Sequence, residues 1–180
     1  MAEPLADRVM RGIGQAAELY HRLVMLAAPA GAGKTATLQD VHERTMAPLV
    51  NVNLELSRRM LDLTERQRAL QLPRLLKEVC ASGVERQASP VILLDNIELL
   101  FDVSLRQDPL RLLQGLSRNR TVVAAWPGDV CGSGVERQAS SQDDARRSTL
   151  DAGRYLVYAT PDHPEYRRYP LKDFVCASSV

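Results

Sequence analysis

The feature of the sequence that most constrains the fold is a glycine-rich octapeptide between an apolar run and a helical pattern. Residues 28–35 read APAGAGKT. The apolar run LVMLAA, at 23–28, leads into this octapeptide, and the segment TATLQDVHERT, at 35–45, has helical periodicity. An apolar run, a glycine-rich turn and a helical pattern in this order predict a buried strand, a tight loop and a helix.

Further segments of the two kinds alternate along the chain. Helical patterns cover 5–19, 64–80 with Pro73 as a break, and the segment opened by Asp108 and Pro109; strand patterns cover 48–56, 91–95, 121–126 and 155–160. Alternating strands and helices predict a parallel sheet with helices on both faces and a ligand at the carboxyl ends of the strands. The expected fold class is therefore α/β, a three-layer core around a mostly parallel five-stranded sheet.

The composition is that of one globular domain. A chain of 180 residues is long enough for one core and too short for two ordinary domains, so we expect a single domain over 1–180. The formal net charge is +1, so the charge balance does not predict nucleic acid as the default partner. No apolar stretch has the character of a secretory signal or a membrane span, so we expect a cytoplasmic protein with no membrane partner.

A short element occurs more than once in the chain. The octapeptide SGVERQAS is found at 82–89 and again at 133–140, and a related tail, VCASSV, ends the chain. The sequences that flank the two copies do not match, so an array of stacked repeats is not indicated. We interpret the two copies as insertions into surface loops and the tail as an addition to a terminus. The three cysteines lack metal-ligand spacing, so we expect no metal bound through sulfur.

The octapeptide at 28–35 follows the phosphate-binding pattern G-x-x-x-x-G-K-[ST] at every position except the first. Glycines at 31 and 33 let backbone amides curl around a β-phosphate. Lys34 is expected to reach the β- and γ-phosphate oxygens, and Thr35 to offer its hydroxyl to Mg²⁺. Ala28 replaces the first glycine, and a small residue is sufficient there if its φ is negative. The chain is thus predicted to have a P-loop NTPase core, with these nucleotide-binding residues: Pro29, Ala30, Gly31, Ala32, Gly33, Lys34, Thr35 and Ala36.

A second motif of such a site is the strand VILLD, at 91–95. Its four apolar residues end in Asp95, as in a Walker B strand that carries a carboxylate to Mg²⁺ through water or Thr35. Many related ATPases have a glutamate directly after this aspartate, but this chain has Asn96. Glu98, or Glu55 at the end of the predicted second strand, could supply the base instead. The catalytic candidates are therefore Lys34, Asp95, Glu98 and Glu55, and we expect slow hydrolysis or a nucleotide-held switch without turnover.

Other classes of P-loop protein can be weighed by the motifs that the sequence has and lacks. No Asn-Lys-x-Asp run is present to read guanine and no Ser-Gly-Gly-Gln run is present, so ATP is the expected nucleotide and neither a GTPase nor a transporter ATPase is indicated. A small-molecule kinase is the main alternative, since such enzymes have this size and clamp phosphates with arginines. Basic runs at 58–60, 66–68 and 117–120 also allow DNA binding, but only weakly, because aromatics make up 4% of the residues and base stacking is poorly supplied.

Three longer runs resemble a known family. They are LVNVNLELSRRMLDLTERQRALQLPRLL at 49–76, LLDNIELLFDVSLRQDPLRLLQGLSRNRTVVAAWPG at 93–128 and YATPDHPEYRRYP at 158–170. Together they look like the small P-loop protein of type 3 BREX phage-defence systems, named BrxF, with an AAA+-like ATPase core. The resemblance implies a bacterial ATP-binding component of an anti-phage system that also contains a DNA methyltransferase, an alkaline-phosphatase-like protein and a large ATPase. The SGVERQAS blocks and the VCASSV tail depart from the family pattern.

The same resemblance bears on assembly. AAA+ proteins normally add a helical lid after the last strand, but only 20 residues follow position 160, so we expect no lid domain. A neighbouring subunit of a homo-oligomer would then close the site and supply an arginine in trans. The candidates are Arg146, Arg147 and Arg154, with Arg118 and Arg120 at the opposite end of the sheet. Trp126, at the end of the fourth predicted strand, is either a sensor residue beside the γ-phosphate or a packing residue.

Overall fold

The computed structural model of the chain describes residues 3–86, 89–131, 155–158, 167–171 and 173–178. The α-helices in these residues are α1 (Leu5–Ala16), α2 (Lys34–Thr45), α3 (Val52–Met60), α4 (Glu65–Arg86) and α5 (Pro109–Leu116). Two short 3₁₀ helices cover Glu98–Phe101 and Val103–Leu105. The strands are β1 (Leu23–Ala27), β2 (Leu49–Asn51), β3 (Val91–Asp95), β4 (Thr121–Trp126), β5 (Asp129–Cys131), β6 (Tyr155–Tyr158), β7 (Arg167–Pro170) and β8 (Val175–Ser178).

Five of the strands form a parallel sheet in the order β2-β3-β4-β1-β8. All four pairings are parallel, so the carboxyl ends of the five strands lie at one edge of the sheet. The strands predicted at 23–28, 91–95 and 121–126 are present with bounds that differ by at most one residue. The expected α/β class with a five-stranded parallel sheet is therefore confirmed.

Helices cover both faces of this sheet because successive strand side chains point in opposite directions. On one face, apolar residues of α1 and α2 pack with alternate strand residues such as Val24, Leu93 and Val123. On the other face, residues of α3, α4 and α5 pack with the intervening strand residues, such as Met25, Ile92 and Val122. The sheet is thus the middle layer between two helical layers. No described helix has both the length and the apolar character needed to cross a bilayer.

The predicted second strand at 48–56 is wrong in its second half. Strand β2 ends at Asn51, and helix α3 begins at Val52. The side chain of Asn51 accepts a hydrogen bond from the amide of Leu54 at 3.1 Å, which is a helix N-cap and favours this change of conformation. The residues read as alternating are buried at helical spacing instead, at Val52, Leu56 and Met60.

The predicted break at Pro73 is also absent, since α4 runs without interruption from Glu65 to Arg86. A proline inside a helix has no amide to offer the carbonyl four residues earlier, which here is that of Ala69. The side chain of Gln107 replaces the missing donor, because its Nε2 donates to the Ala69 carbonyl at 3.0 Å. A residue outside the helix therefore compensates for the proline.

The edge strand of the sheet is not the one predicted. Residues 155–160 were expected to form the fifth parallel strand, but Tyr155–Tyr158 pairs antiparallel with β5 and β7 in a separate three-stranded sheet. The fifth strand is β8, which pairs with β1 and lies within the tail interpreted as an addition. Strand β8 extends the apolar core, since Ala177 is 4% exposed and belongs to the α1 and α2 cluster.

The repeated octapeptide and the first helix also differ from expectation. Residues 82–86 of the first copy are the last turn of α4 rather than a loop insertion. Gly83 lies close to the sheet there, because a Cβ added to it would be 3.1 Å from the Val50 side chain. Helix α1 ends at Ala16 rather than at residue 19. The second copy, at 133–140, lies outside the described residues, as do most of the residues between β5 and β7 that bear on a lid.

Candidate functional site

The glycine-rich loop and Asp95 lie at the same edge of the sheet. Strands β1 and β3 are the two neighbours of β4, and their registers pair Leu26 with Ala125 and Leu94 with Ala124. Asp95, one residue further along β3, is therefore level with Leu26 across β4. Two strand spacings separate them, or about 10 Å between backbones. The loop leaves β1 immediately beyond this level.

Asp95 also shares a face of the sheet with α2. Val91 and Leu93 belong to the apolar cluster that contains α1 and α2, and side chains two residues apart on a strand share a face. The carboxylate of Asp95 therefore lies on the side where α2 packs. Since α2 begins at Lys34, the helix N-terminus and the Asp95 side chain lie on the same side of the sheet at its carboxyl edge.

The loop backbone depends on two glycines and leads into a helix without a side-chain cap. Gly31 and Gly33 have φ values of 80° and 81°, which residues with a Cβ rarely adopt. Gly33 is the N-cap of α2 and provides no side-chain cap, so the first amides of the helix are left for another acceptor. Ala28 is buried and is not among the residues with positive φ. Ala28 therefore meets the backbone condition under which alanine was expected to be sufficient at this position.

Two opposite charges in this region lack counter-ions. The Nζ atom of Lys34 donates to the carbonyl of Ala28 at 2.6 Å, which holds the ammonium over the loop. The carboxylate of Asp95 is only 7% exposed and accepts one hydrogen bond, from the amide of Asn96 at 2.9 Å. Neither belongs to any ion pair found in the described part of the chain. A buried carboxylate with so few donors is costly unless a cation or further donors complete it.

The two candidate bases have different surroundings. Glu55 is in the first turn of α3 rather than at a strand end, and it pairs with Arg58 on the same helix at 3.3 Å. Glu98 opens the first 3₁₀ helix, is exposed, and accepts a hydrogen bond from Nδ2 of Asn53 at 3.3 Å. Both follow strands that end at the carboxyl edge. They differ in that the carboxylate of Glu98 is hydrogen-bonded by Asn53, which also joins α3 to the segment after Asp95.

Asn53 is a residue that the sequence analysis missed. Its backbone amide donates to the backbone carbonyl of Asn96 at 3.0 Å, and its side-chain Oδ1 accepts from the backbone amide of Leu99 at 2.9 Å. With the bond to Glu98, it makes three connections to a segment more than 40 residues away. Asparagine close to the start of a helix is common for capping reasons, so the sequence contains no signal that marks these long-range contacts.

A cleft lies beside Asp95 on the β2 side. Its volume is about 340 Å³ and it is lined by Asn51, Asn53, Leu54, Ser57 and Asn96. Asn51 pairs with Asp95 in the register of β2 and β3, but Asp95 itself does not line the cleft. A larger depression, of about 520 Å³, lies between α1 and β8, away from the loop and Asp95. Neither depression is lined by the loop at 28–35 or by Asp95.

Arg118, Arg120 and Trp126 are not part of this cluster. Arg118 lies over the ring of Tyr20 at 5.9 Å, and Arg120 donates to the carbonyl of Cys80 at 3.5 Å; both precede β4, at the amino edge. Arg146, Arg147 and Arg154 lie outside the described residues. Trp126 is fully buried, packs edge-on against Phe101 and donates from Nε1 to the Val157 carbonyl at 3.1 Å. It therefore packs the core against β6.

No known family model matches the chain, and no curated protein matches it. The functional argument consequently rests on the geometry of the loop, the start of α2 and the end of β3.

Proposed function

We propose that the protein binds ATP with Mg²⁺ between the loop at 28–35 and Asp95, and that it hydrolyses ATP slowly. One observation carries the proposal. A lysine ammonium and an uncapped helix N-terminus lie at the end of β1, level with a buried carboxylate that has no counter-ion two strands away. Exposed amides and a lysine suit phosphate oxygens, and an isolated carboxylate suits a hydrated divalent cation.

The roles of the residues follow from this arrangement. Gly31 and Gly33 keep the loop open to a phosphate, because their φ values and the empty space around them leave the amides accessible. Lys34 exchanges its hydrogen bond to Ala28 for phosphate oxygens. Thr35, exposed on the first turn of α2, and Asp95 would hold Mg²⁺, which neutralises phosphate charge when it is bound.

The decisive experiment compares two lysine variants. Lys34→Ala should weaken Mg²⁺-ATP binding by roughly 30- to 150-fold, because charge-assisted hydrogen bonds contribute about 2–3 kcal/mol. Lys77→Ala, at an exposed position on α4, is the matched control and should bind as the wild type does. Calorimetric titration gives both affinities, and thermal unfolding of both variants tests the fold. Equal affinity in the two variants contradicts the proposal, and transfer of phosphate to an added small molecule favours a kinase instead.

The resemblance to BrxF supports a more specific biological role. We propose that the protein acts as a homo-oligomeric ATPase component of a bacterial anti-phage defence system, together with the other proteins of that system. Cells that carry the defence genes should lose protection against phage when Lys34 is replaced by alanine, as measured by plaque counts. Unchanged protection together with lost ATP binding would separate the defence role from the nucleotide.

An arginine from a neighbouring subunit is the proposed means of completing the site. Turnover per subunit should then rise with protein concentration while the oligomer forms, and single alanine variants of Arg146, Arg147 and Arg154 should include one that binds ATP without turning it over. Mixing that variant with Lys34→Ala subunits should restore part of the activity. A particle that remains monomeric with ATP and Mg²⁺, and has constant turnover per subunit, contradicts this model.

A further inference from the structure

Asn53 joins the two segments that leave neighbouring strands at the carboxyl edge. Its amide fixes the carbonyl of Asn96, directly after Asp95, and its Oδ1 fixes the amide of Leu99. Its Nδ2 donates to Oε2 of Glu98. Asn96 has a φ of 51°, an unusual conformation for a residue other than glycine. The hydrogen bond from Asn53 to the Asn96 carbonyl helps to hold this conformation.

The result is that Glu98 has a defined position one turn beyond Asp95. Glu98 is exposed, so water reaches its carboxylate, and the only partner found for that carboxylate in the described residues is a neutral amide. Glu55, the other candidate, is engaged by the cation of Arg58 along its own helix. Both carboxylates keep lone pairs for a water proton, but no cation competes for those of Glu98 among the described residues, whereas Arg58 holds Glu55 along its own helix.

We propose that Glu98 is the general base for ATP hydrolysis and that Asn53 is its positioning residue. This inference rests on the proposed function. In the step, the oxygen of a water molecule forms a bond to the γ-phosphorus and Glu98 accepts a proton from that water. The bond between the γ-phosphorus and the β,γ-bridging oxygen breaks, and ADP leaves with that bond's electron pair. Many related ATPases have a glutamate directly after the aspartate that corresponds to Asp95, where this chain has Asn96. Glu98 would take the role of that glutamate.

Asn53→Asp is the variant that breaks the positioning contact. It retains the backbone amide and an oxygen for the amide of Leu99, removes the Nδ2 donor to Glu98, and places a second carboxylate beside Glu98, so that like-charge repulsion displaces Glu98. We expect ATP affinity within about twofold of the wild type and turnover at saturating ATP reduced by about tenfold or more. Glu98→Gln should reduce turnover by about 100-fold, the lower limit for loss of a general base.

The double variant Asn53→Asp with Glu98→Gln separates positioning from a purely structural contact. In it, the new amide at position 98 can donate to the new carboxylate at position 53, so the hydrogen bond is rebuilt in the opposite sense without a base. We expect the melting temperature to recover towards the wild-type value while turnover remains at the level of Glu98→Gln. Recovery of turnover in the double variant would show that the contact is only structural and would overturn the proposal.

Four other outcomes also have fixed meanings. Normal turnover in Glu98→Gln, or a loss of turnover in Glu55→Gln that exceeds the loss in Glu98→Gln, overturns the choice of base. Wild-type protein that binds ATP without any turnover overturns the base and leaves the nucleotide site intact. Wild-type protein that does not bind ATP at all refutes the proposed function itself, and with it this inference.

Discussion

At the scale of single residues, buried groups in this protein differ in what surrounds them. Asp95 is almost fully buried, and its side chain accepts one hydrogen bond, from the amide of Asn96. Cys80 is buried among apolar residues at the other end of the molecule. Burial raises the pKa of the Cys80 thiol to about 12, and the charge of Arg120 opposes this increase only in part. Cys80 is therefore a packing residue.

This pKa predicts how stability depends on pH. The ordinary pKa is 9.0, so the unfolded chain loses the thiol proton first and the folded chain retains it. The contribution of the protonated Cys80 thiol to the free energy of unfolding is fully present below pH 9.0. It is lost as the pH rises from 9.0 towards 12, by about 1.4 kcal/mol per pH unit at most. Urea unfolding of the wild type and of Cys80→Ala between pH 8 and 11 measures it. Identical pH slopes in the two proteins would show that the thiol is not protected by burial.

Gly128 is a residue that the fold requires to have no side chain. A Cβ there would lie 1.8 Å from the Val157 carbonyl oxygen, which also accepts from the indole of Trp126. Gly128→Ala should displace β6, break that hydrogen bond and shift the emission of the single tryptophan of the chain. Gly115→Ala, in an exposed turn of α5 with no atom near the added Cβ, should leave the emission unchanged. A wild-type emission spectrum in Gly128→Ala would refute the contact.

At the scale of secondary structure elements, α4 shows how a helix tolerates an internal proline. Gln107 supplies the donor that Pro73 cannot, so the Ala69 carbonyl has a partner. The helix is consequently anchored to the segment that follows the second 3₁₀ helix, and it packs its buried residues, among them Leu72 and Leu76, against the sheet.

Removal of the Gln107 side chain should destabilise the protein by an amount that depends on whether residue 73 is proline. We expect Gln107→Ala to lower the free energy of unfolding by about 1 kcal/mol, the lower end of the cost of a carbonyl left without a donor, because Ala69 is only partly buried. In a Pro73→Ala background the new amide at position 73 can bond the carbonyl of Ala69, so Gln107→Ala should cost less. A double-mutant cycle in urea isolates this coupling, and equal costs in the two backgrounds would show that Gln107 acts through other contacts.

At the scale of the whole molecule, the sheet depends on the last segment of the chain. Strand β8 covers one side of β1, whose residues are all buried, and Arg8 of α1 donates to the carbonyl of Ser178. The C-terminal segment, which is the most distant in sequence from β1 among the sheet strands, therefore closes the core on that side.

Loss of β8 should abolish cooperative folding. Truncation after Asp173 should expose the β1 edge and part of the α1 packing surface, and Ala177→Asp should have a similar effect because it introduces a charge into the apolar cluster. Asp173→Gly, beside the strand at a residue with φ of 64°, is the control and should keep the wild-type transition. Circular dichroism during heating measures all three. A truncated protein with the wild-type melting temperature would contradict a structural role for β8.

The elements that the sequence predicted well have local causes. The strands at β1, β3 and β4 are continuous apolar runs, and α5 begins where the side chain of Asp108 caps the amide of Leu110 beside Pro109. The phosphate-loop conformation follows from Gly31 and Gly33 because few other residues adopt their φ. In each case the energy that selects the conformation comes from residues within one turn, so the amino-acid order contains the information.

The remaining features were decided by partners far along the chain. Gln107 meets Ala69 across 38 residues and keeps α4 continuous through Pro73, and Asn53 meets Glu98 across 45 residues and distinguishes that carboxylate from Glu55. The apolar pattern at 155–158 suits either sheet, and the pairing of β8 with β1 determines which strand becomes the edge. The sequence by itself thus determined the glycine-rich loop between β1 and α2 and the buried parallel strands, because local sterics and apolar runs select them. Only the tertiary structure decided the edge strand and the surroundings of the candidate base, because the free energy of those choices lies in contacts that exist only after the chain has folded.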